Sequence, residues 1–360
     1  MASASIPDDP ASIMNIPLTR RACIASLGAW FAWPTLATAR PEAWRRNEFE
    51  VLKAFPAGWL DVLCGNDLPD EKGLTGTNRA VGRWLEAGPQ RGSCRGVIAA
   101  VVAGDLARAD RAWKGIELAF SRQREDGGFE AAVRPNGSSA LSGGAAVETA
   151  YFFLQEVGRM VLVIRQSPHE GHFRQRLDEL MPRLRRACAF IMAGEASIIE
   201  KSSKAVNRII IAAKAFGTCG RVLKDEALLA ASRRLARHAL TLRDADGVFI
   251  EHGGRDSSYN VVSIYFGQVL ALHLEMPGFE SALGKAMDWQ LGRIRPDGEV
   301  DVAGNTRTGV GKEPGFDGQP KKVNYNEVIF ALLYHGIVHD NARCMDAARR
   351  VFERTHPGKP

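Results

Sequence analysis

The chain contains a weak internal repeat in which the same kind of helix start occurs four times. Each start has a polar residue followed by an almost wholly apolar run, and aligning the runs places Glu148, Asn207, Asn260 and Asn326 in one column. These positions are 59, 53 and 66 residues apart, the length of a helical hairpin and a loop. Because one hairpin cannot bury its own apolar face, this spacing predicts helix pairs that pack together in a stack or a ring.

The segments before three of these starts support the same unit. Amphipathic patterns over 109–124, 233–243 and 280–295 each lead into an Asp-Gly pair, which favours a tight turn. A polar loop follows, and then a helix that is apolar on nearly all sides, which indicates burial. The sequence therefore predicts an all-α fold, an α/α toroid of about five to six hairpins. Its inner helices should begin near residues 147, 206, 259 and 325, with their N-termini at the same end of the ring.

Residues 1–39 differ from the remainder of the chain. Twin arginines at positions 20 and 21 precede an apolar run from Cys23 to Leu36, and a small-residue Ala-x-Ala site follows. This order resembles a bacterial twin-arginine export signal. We therefore expect residues 1–39 to be removed and residues 40–360 to form a single toroid domain in the periplasm or the medium. No later segment reaches about 18 uncharged apolar residues, so no integral membrane span is expected.

Composition and charge indicate the kind of partner. The chain has 360 residues, of which 45% are hydrophobic, and a net charge of +6. A basic exported protein favours acidic partners, so we expect an anionic polysaccharide or oligosaccharide, in preference to anionic lipid, and no nucleic acid. The five cysteines after residue 39 lack metal-site spacing, and a Cys64–Cys94 disulfide is one possible pairing. The Asp-rich loops lack a Ca²⁺-binding pattern, so the sequence identifies no cofactor or metal site and makes no prediction about metal dependence. The sequence makes no prediction about the oligomeric state.

The densest group of reactive side chains lies between Phe249 and Asn260. It supplies carboxylates, an imidazole, a guanidinium, a phenol and an amide on a Gly-containing loop that leads into a buried helix. Glycine lets a ligand approach the backbone closely, and a buried helix start holds side chains rigidly. The structural alternative is that a serine at 257–258 caps the helix, Tyr259 packs in the core, and Glu251 pairs with Arg255 at the surface.

The next repeat carries a second Tyr-Asn pair at 325–326, after two lysines at 321–322. In a ring both pairs face the same end, so phenols, amides and lysines should converge on one cleft. We interpret the Gly-rich stretch 304–319 as a long functional loop. Glu148 stands where the other repeats have Asn, and a buried carboxylate there could transfer a proton. The alternative is that the column residues only bond adjacent loops, and we favour this interpretation for Asn207.

The Asp-Gly turns also carry a resemblance to known toroids. Residues Gln123 to Phe129 resemble the Q-x-x-D-G-G-F turn of toroidal prenyltransferases and triterpene cyclases, but the sequence has neither the D-x-D-D acid motif of the cyclases nor the zinc-binding pattern of the transferases. The Asp-Gly loops and the segment from Gly253 to Asn260 are more similar to α/α-toroid polysaccharide lyases and related glycoside hydrolases. This resemblance covers residues 90–340. It implies a secreted enzyme that cleaves an acidic polysaccharide by β-elimination.

In lyases of this class an Asn, Arg or His neutralises the uronate carboxylate, a Tyr or His removes the C5 proton, and a Tyr protonates the leaving oxygen. The resemblance implies neutralisation by Asn260, Asn326 and Arg255. It implies His252 or Tyr259 as the base and Tyr325 or Tyr259 as the acid. The alternatives are hydrolysis by a pair of carboxylates from Glu251, Asp256, Glu148 and Asp126, and a non-catalytic glycan-binding or assembly protein. The catalytic candidates are Tyr259, His252, Asn260, Tyr325, Glu251 and Asp256, and the substrate-binding candidates are Arg255, Asn326, Lys321, Asp126, Glu148 and Arg134.

Overall fold

The computed structural model describes residues 42–134, 137, 143–315 and 318–359, apart from the side chain of Asn66. The expected export signal, residues 1–39, lies outside them. The described residues form α-helices joined by loops, with isolated β-bridges and no strand. Residues Pro41–Pro360 make up one unit by their contacts. No helix in the described part of the chain combines the length and the apolar character needed to cross a membrane.

Short helices come first and helical hairpins follow. The short helices are α1 (Glu42–Arg45), α2 (Glu48–Lys53), α3 (Trp59–Leu63) and α4 (Gly76–Val81). The hairpins are α5 (Arg91–Ala103) with α6 (Leu106–Ser121), α7 (Gly143–Gln166) with α8 (Glu170–Ala193), α10 (Val206–Leu223) with α11 (Glu226–Thr241), α12 (Ser257–His273) with α13 (Pro277–Leu291), and α14 (Tyr325–Val338) with α15 (Ala342–Thr355). The short helix α9 (Glu195–Ser202) lies between α8 and α10.

The first helix of each hairpin lies in an inner ring. It contacts the first helix of the next hairpin, and α2 closes the ring by contacting α5, α7 and α14. The inner helices are buried on nearly all sides, and Tyr259 is the one residue of α12 that is not buried. The second helices are amphipathic and lie outside; α15 buries residues only along the stripe from Cys344 to Phe352. The predicted α/α toroid is therefore confirmed.

The inner helices begin at the same end of the ring, as predicted. Arg208 at the start of α10 bonds to Glu148 at the start of α7, at 3.1 Å. The backbone N–H of Asn324, before α14, donates to the Ser258 hydroxyl at the start of α12, at 3.2 Å. Helices α10, α12 and α14 begin at or close to the predicted positions, whereas α7 begins at Gly143, ahead of the predicted residue 147.

The Asp-Gly turns require glycine for two reasons. Gly127 and Gly298 have φ angles of +88° and +83°, which residues with a Cβ adopt rarely. A Cβ on Gly127 would lie 2.2 Å from the carbonyl oxygen of Arg186, and a Cβ on Gly298 would lie 2.2 Å from that of Arg350. Each turn therefore packs directly on the outer helix of the next hairpin, and this contact fixes the loop that leads to the next inner helix.

A network of charged side chains lies inside the ring and is fully buried. The carboxylate of Glu48, in α2, accepts hydrogen bonds from Arg159 Nε at 2.6 Å and from the Tyr334 hydroxyl at 2.5 Å, and lies 2.6 Å from His273 Nε2. Arg159 also donates to the hydroxyl of Tyr265 at 2.9 Å. Adjacent to it, Lys214 of α10 pairs with Glu156 of α7 at 2.8 Å, and Glu156 pairs with Arg159 at 3.0 Å. The network thus joins α2 to four inner helices.

The five cysteines of the described residues are buried free thiols. The possible Cys64–Cys94 disulfide is therefore not formed. Burial raises the pKa of both thiols well above the ordinary value, so they remain protonated and behave as small apolar side chains.

Candidate active site

Asp256 fixes the Gly-rich loop at the N-terminal end of the inner helices. Its fully buried carboxylate accepts hydrogen bonds from the backbone N–H groups of Ser258 and Tyr259, at 3.0 and 3.1 Å. It also accepts bonds from the backbone N–H groups of Arg307 and Thr308, at 2.9 and 2.8 Å, and from the Thr308 hydroxyl at 3.0 Å. These bonds occupy the carboxylate and clamp the Gly-rich loop to α12. We therefore assign Asp256 a positioning role in place of the expected catalytic one.

Arg307, supplied by this loop, is the centre of the site. Its side chain donates to the carboxylate of Glu251 and, from Nε at 2.5 Å, to that of Glu313. The guanidinium carbon lies 4.2 Å from the centre of the Tyr259 ring. Lys321 Nζ lies 5.7 Å from the same ring and 2.8 Å from Glu313. The bond from Arg307, together with Lys321, lowers the pKa of Glu313 to about 2. Two cations are thus held against one phenol.

Tyr259 lies partly exposed at the N-terminal end of α12. It is half-buried, whereas its neighbours on α12 are buried. Its hydroxyl has no hydrogen-bond partner among the described residues, although its ring lies against the guanidinium of Arg307. A phenol held rigidly by its ring, with a free hydroxyl, can exchange a proton with a bound molecule.

Glu251 and His252 lie beside Arg307, on the loop before α12. Burial raises the pKa of Glu251 to about 7, although the bond from Arg307 opposes this shift. His252 has a φ of +51°, which is uncommon for a residue other than glycine, and its backbone N–H donates to the Lys204 carbonyl oxygen at 2.6 Å. Its exposed imidazole lies 4.0 Å from Glu251. Burial and Arg307 lower the pKa of His252, so the neutral imidazole is favoured.

The start of α10 adds an amide and a second guanidinium. Asn207 is only 6% exposed, and its side chain forms no hydrogen bond with the described residues; its Oδ1 is buried without a partner. The interpretation that Asn207 bonds an adjacent loop is therefore wrong. Arg208 pairs with Glu148 at 3.1 Å, and both are only partly buried. Glu148 is thus not the buried, free carboxylate suggested by its place in the repeat.

Three candidates are held by other parts of the protein: Arg255 and Asn326, expected to bind substrate, and Asn260, expected to take part in catalysis. Arg255 bonds to Asp244 at 2.5 Å and to Asp246, both in an Asp-Gly turn. Asn260 is fully buried; it accepts from the Phe249 backbone at 3.3 Å and donates to Gln290 at 3.1 Å. Asn326 donates to the Leu63 carbonyl oxygen at 3.1 Å. Because these side chains tie loops and helices together, we assign them structural roles in place of the expected catalytic and binding roles.

Three further candidates also have local roles. Asp126 pairs with Arg124 at 2.7 Å within its own turn, and Arg134 pairs with Glu86. Tyr325 is half-buried at the first residue of α14 and packs against the core. No cation lies over its ring among the residues that the structure describes, so its environment differs from that of Tyr259.

The sequence pattern does not single out Arg307, Glu313 or Arg208. Arg307 and Glu313 lie in the stretch 304–319, whose glycine content predicts a functional loop but favours no particular residue in it. Arg208 directly follows Asn207 in the repeat, so its place at the start of an inner helix could be recognised from the sequence. Within the described residues, no group of three or more His, Cys, Asp or Glu side chains is placed to hold a metal ion.

Comparison with known proteins adds a solved structure of similar form. No protein-family model matches the chain, and no curated protein matches it. A solved polysaccharide lyase is similar to this chain with a TM-score of 0.46 and 15% sequence identity, over 85% of this chain and 88% of that one. At this degree of likeness the comparison assigns no family.

Proposed function

We propose that this protein is an exported enzyme that cleaves an anionic polysaccharide by β-elimination, with Tyr259 as the residue that transfers the proton. The observation that carries the proposal is the environment of Tyr259, which combines a free hydroxyl with Arg307 and Lys321 beside the ring. A free hydroxyl on a ring that lies against two cations can transfer a proton to or from a bound sugar.

The carboxylate of the reacting uronate needs a neutralising partner, because its negative charge opposes removal of the C5 proton. Asn207 suits this role, since its side chain has no hydrogen-bond partner among the described residues. It belongs to α10, the inner helix before α12. It replaces Asn260, Asn326 and Arg255, whose side chains are bonded to the protein, as is that of Arg208, which pairs with Glu148.

Tyr259 alone can act as both the base and the acid of the elimination. Its phenolate takes the C5 proton, the electrons of the C5–H bond form the C4=C5 double bond, and the C4–O bond breaks. The phenol then donates the same proton to the leaving oxygen and returns to the phenolate. Arg307 and Lys321 remain beside it throughout and stabilise its negative charge without reorganisation.

The carboxylates favour elimination over hydrolysis. A hydrolase needs two carboxyl groups that can act on the substrate. Asp256 is occupied by the helix and the loop, and Asp126 by its own turn. Glu251 and Glu148 are each paired with an arginine. The four candidates therefore provide no pair of free carboxylates.

The test is to incubate the purified protein with a panel of uronate-containing polysaccharides and follow the ultraviolet absorbance of an unsaturated uronyl end. We expect this absorbance with at least one polymer. Tyr259→Phe should lower the rate by about 10²–10⁴-fold, the usual contribution of general acid–base catalysis, while the melting temperature stays unchanged.

Tyr325→Phe is the matched control, because it removes the same hydroxyl at the start of the next inner helix, where no cation contacts the ring. It should retain most of the activity. Full activity of Tyr259→Phe would contradict the mechanism. Reducing ends without ultraviolet absorbance would indicate a hydrolase, and retention of uncut polymer would indicate a binding protein.

A further inference from the structure

A groove of about 500 Å³ lies at the end of the ring opposite Tyr259. The ends of α7 and α10 line it, whereas the inner helices begin at the Tyr259 end. Its other wall is α8, through Glu170, Met181 and Arg185. These positions are 11 and 4 residues apart, a spacing that places them on one helix face. At about 1.5 Å per residue, the wall follows about 22 Å of the α8 axis, which suits an extended chain.

The cations that line the groove have no acidic partner. Arg165, Arg185 and Lys224 are exposed, and no carboxylate lies within 4.0 Å of them among the described residues. Glu170 is the one acidic residue among the described residues of the lining, so three cations face one carboxylate. On the next outer helix, in contrast, Arg234 is bound by Glu195 at 2.7 Å. The groove therefore carries an excess of positive charge that the protein does not neutralise.

Neutral groups hold Arg165 in place. Its Nη1 donates to the Val222 carbonyl oxygen at 3.0 Å, and its Nη2 lies 3.9 Å from the sulfur of Met181. Because neither acceptor is charged, these contacts fix the guanidinium without compensating its charge. The first contact also occupies a carbonyl oxygen at the C-terminal end of α10, which would otherwise repel an anion. The nearby Asp225 instead caps α11, where it accepts from two backbone N–H groups.

We propose that this groove is a second binding site for the anionic polysaccharide, separate from the site around Tyr259. Arg165, Arg185 and Lys224 bind carboxylates of successive uronates through charge-assisted hydrogen bonds. The side chains of Met181, Val222 and Leu223 supply an apolar surface on which the C–H face of a sugar ring is buried. The identity of the ligand as a uronate chain rests on the proposed function. A polymer that reaches both sites is held more tightly than by either site alone.

The test measures binding in the Tyr259→Phe protein, which leaves oligouronates essentially uncut. Oligomers of galacturonate and of mannuronate, together with their carboxyl-reduced counterparts, are titrated by calorimetry. Adding Arg185→Gln and Lys224→Gln together should weaken one oligouronate-binding event by about 10–100-fold, through the loss of charge-assisted hydrogen bonds. The melting temperature should stay unchanged, because neither side chain is bonded to the described residues. The reduced oligomers, which lack carboxylates, should show no difference between the two proteins.

Arg343→Gln is the control for the loss of positive charge. Arg343 is exposed at the start of α15, at the same end of the ring but in another hairpin, so oligouronate binding should not change. Equal binding by the Arg185→Gln/Lys224→Gln variant and its parent, or no oligouronate binding by the parent, would overturn the second site. If the variant lost this binding but the wild-type protein released no unsaturated product, the second site would stand and the elimination mechanism would fail.

Discussion

Replacing Glu48 by Gln should destabilise the toroid strongly. Burial alone would raise the pKa of Glu48, but Arg159 and His273 hold it well below the ordinary value, so the side chain is ionised. Removing its charge leaves the buried Arg159 and Lys214 opposed by Glu156 alone. Losing one partner of a buried ion pair costs about 3–5 kcal/mol of unfolding free energy.

This cost converts into a measurable shift in melting temperature. The unit Pro41–Pro360 should have an unfolding entropy of about 0.7 kcal/mol/K, at about 2.1 cal/mol/K per residue. The melting temperature of Glu48→Gln should therefore fall by about 4–7 °C when thermal unfolding is followed by circular dichroism at pH 7.

Glu50→Gln provides the matched control, since it makes the same change on the same helix. Glu50 is 36% exposed at its side chain and lies 3.8 Å from Lys53, and such surface pairs contribute about 0–1 kcal/mol. Its melting temperature should stay close to that of the wild type. A melting temperature for Glu48→Gln within about 1 °C of the control would refute the assigned role of the network.

Two further predictions concern pH and export. The native Glu251 carboxyl keeps its proton to about pH 7 and the unfolded one loses it near its ordinary pKa of 4.5, so wild-type stability should fall as pH rises between these values. Glu251→Gln should lack this fall, whereas equal pH profiles of the two proteins would contradict the shift. Mass spectrometry of protein from the periplasm or medium should find an N-terminus near Arg40; a chain retaining Met1 and found only in the cytoplasm would contradict export.

The ring could be predicted from the sequence because it follows from a repeated pattern of Asp-Gly turns and apolar helices. Apolar character on all sides of α10, α12 and α14 required burial within a layer of other helices. Asp-Gly pairs placed turns between the outer and inner helices. Hence the starts of these helices followed from the repeat pattern, whereas α7 begins at Gly143, ahead of its apolar run.

The side-chain pairs of the site could not be predicted, because they join different repeats. Arg307 and Glu251 are 56 residues apart; the repeat brings their loops to one end of the ring, but it does not specify which side chains meet there. Asn260 and Asn326 are polar residues at buried helix starts, which suggests a role in substrate binding or catalysis. An amide at a helix start can also bond the backbone of a neighbouring segment, and both residues do so. Asn207 has the same place in the repeat and no such bond, and only the packing around each position separates these two outcomes.

The contact between Glu48 and Tyr334 spans 286 residues, and it has a consequence for how the chain acquires its structure. Helices α2 and α7 are made early by the ribosome, but the hydroxyl that completes their shared network belongs to the last hairpin. Such distant contacts form late and slow folding, because a long loop must close first. Closure of the ring is therefore a step that only the finished chain can take, and a nascent chain that stops before α14 leaves Glu48 and Arg159 incompletely bonded.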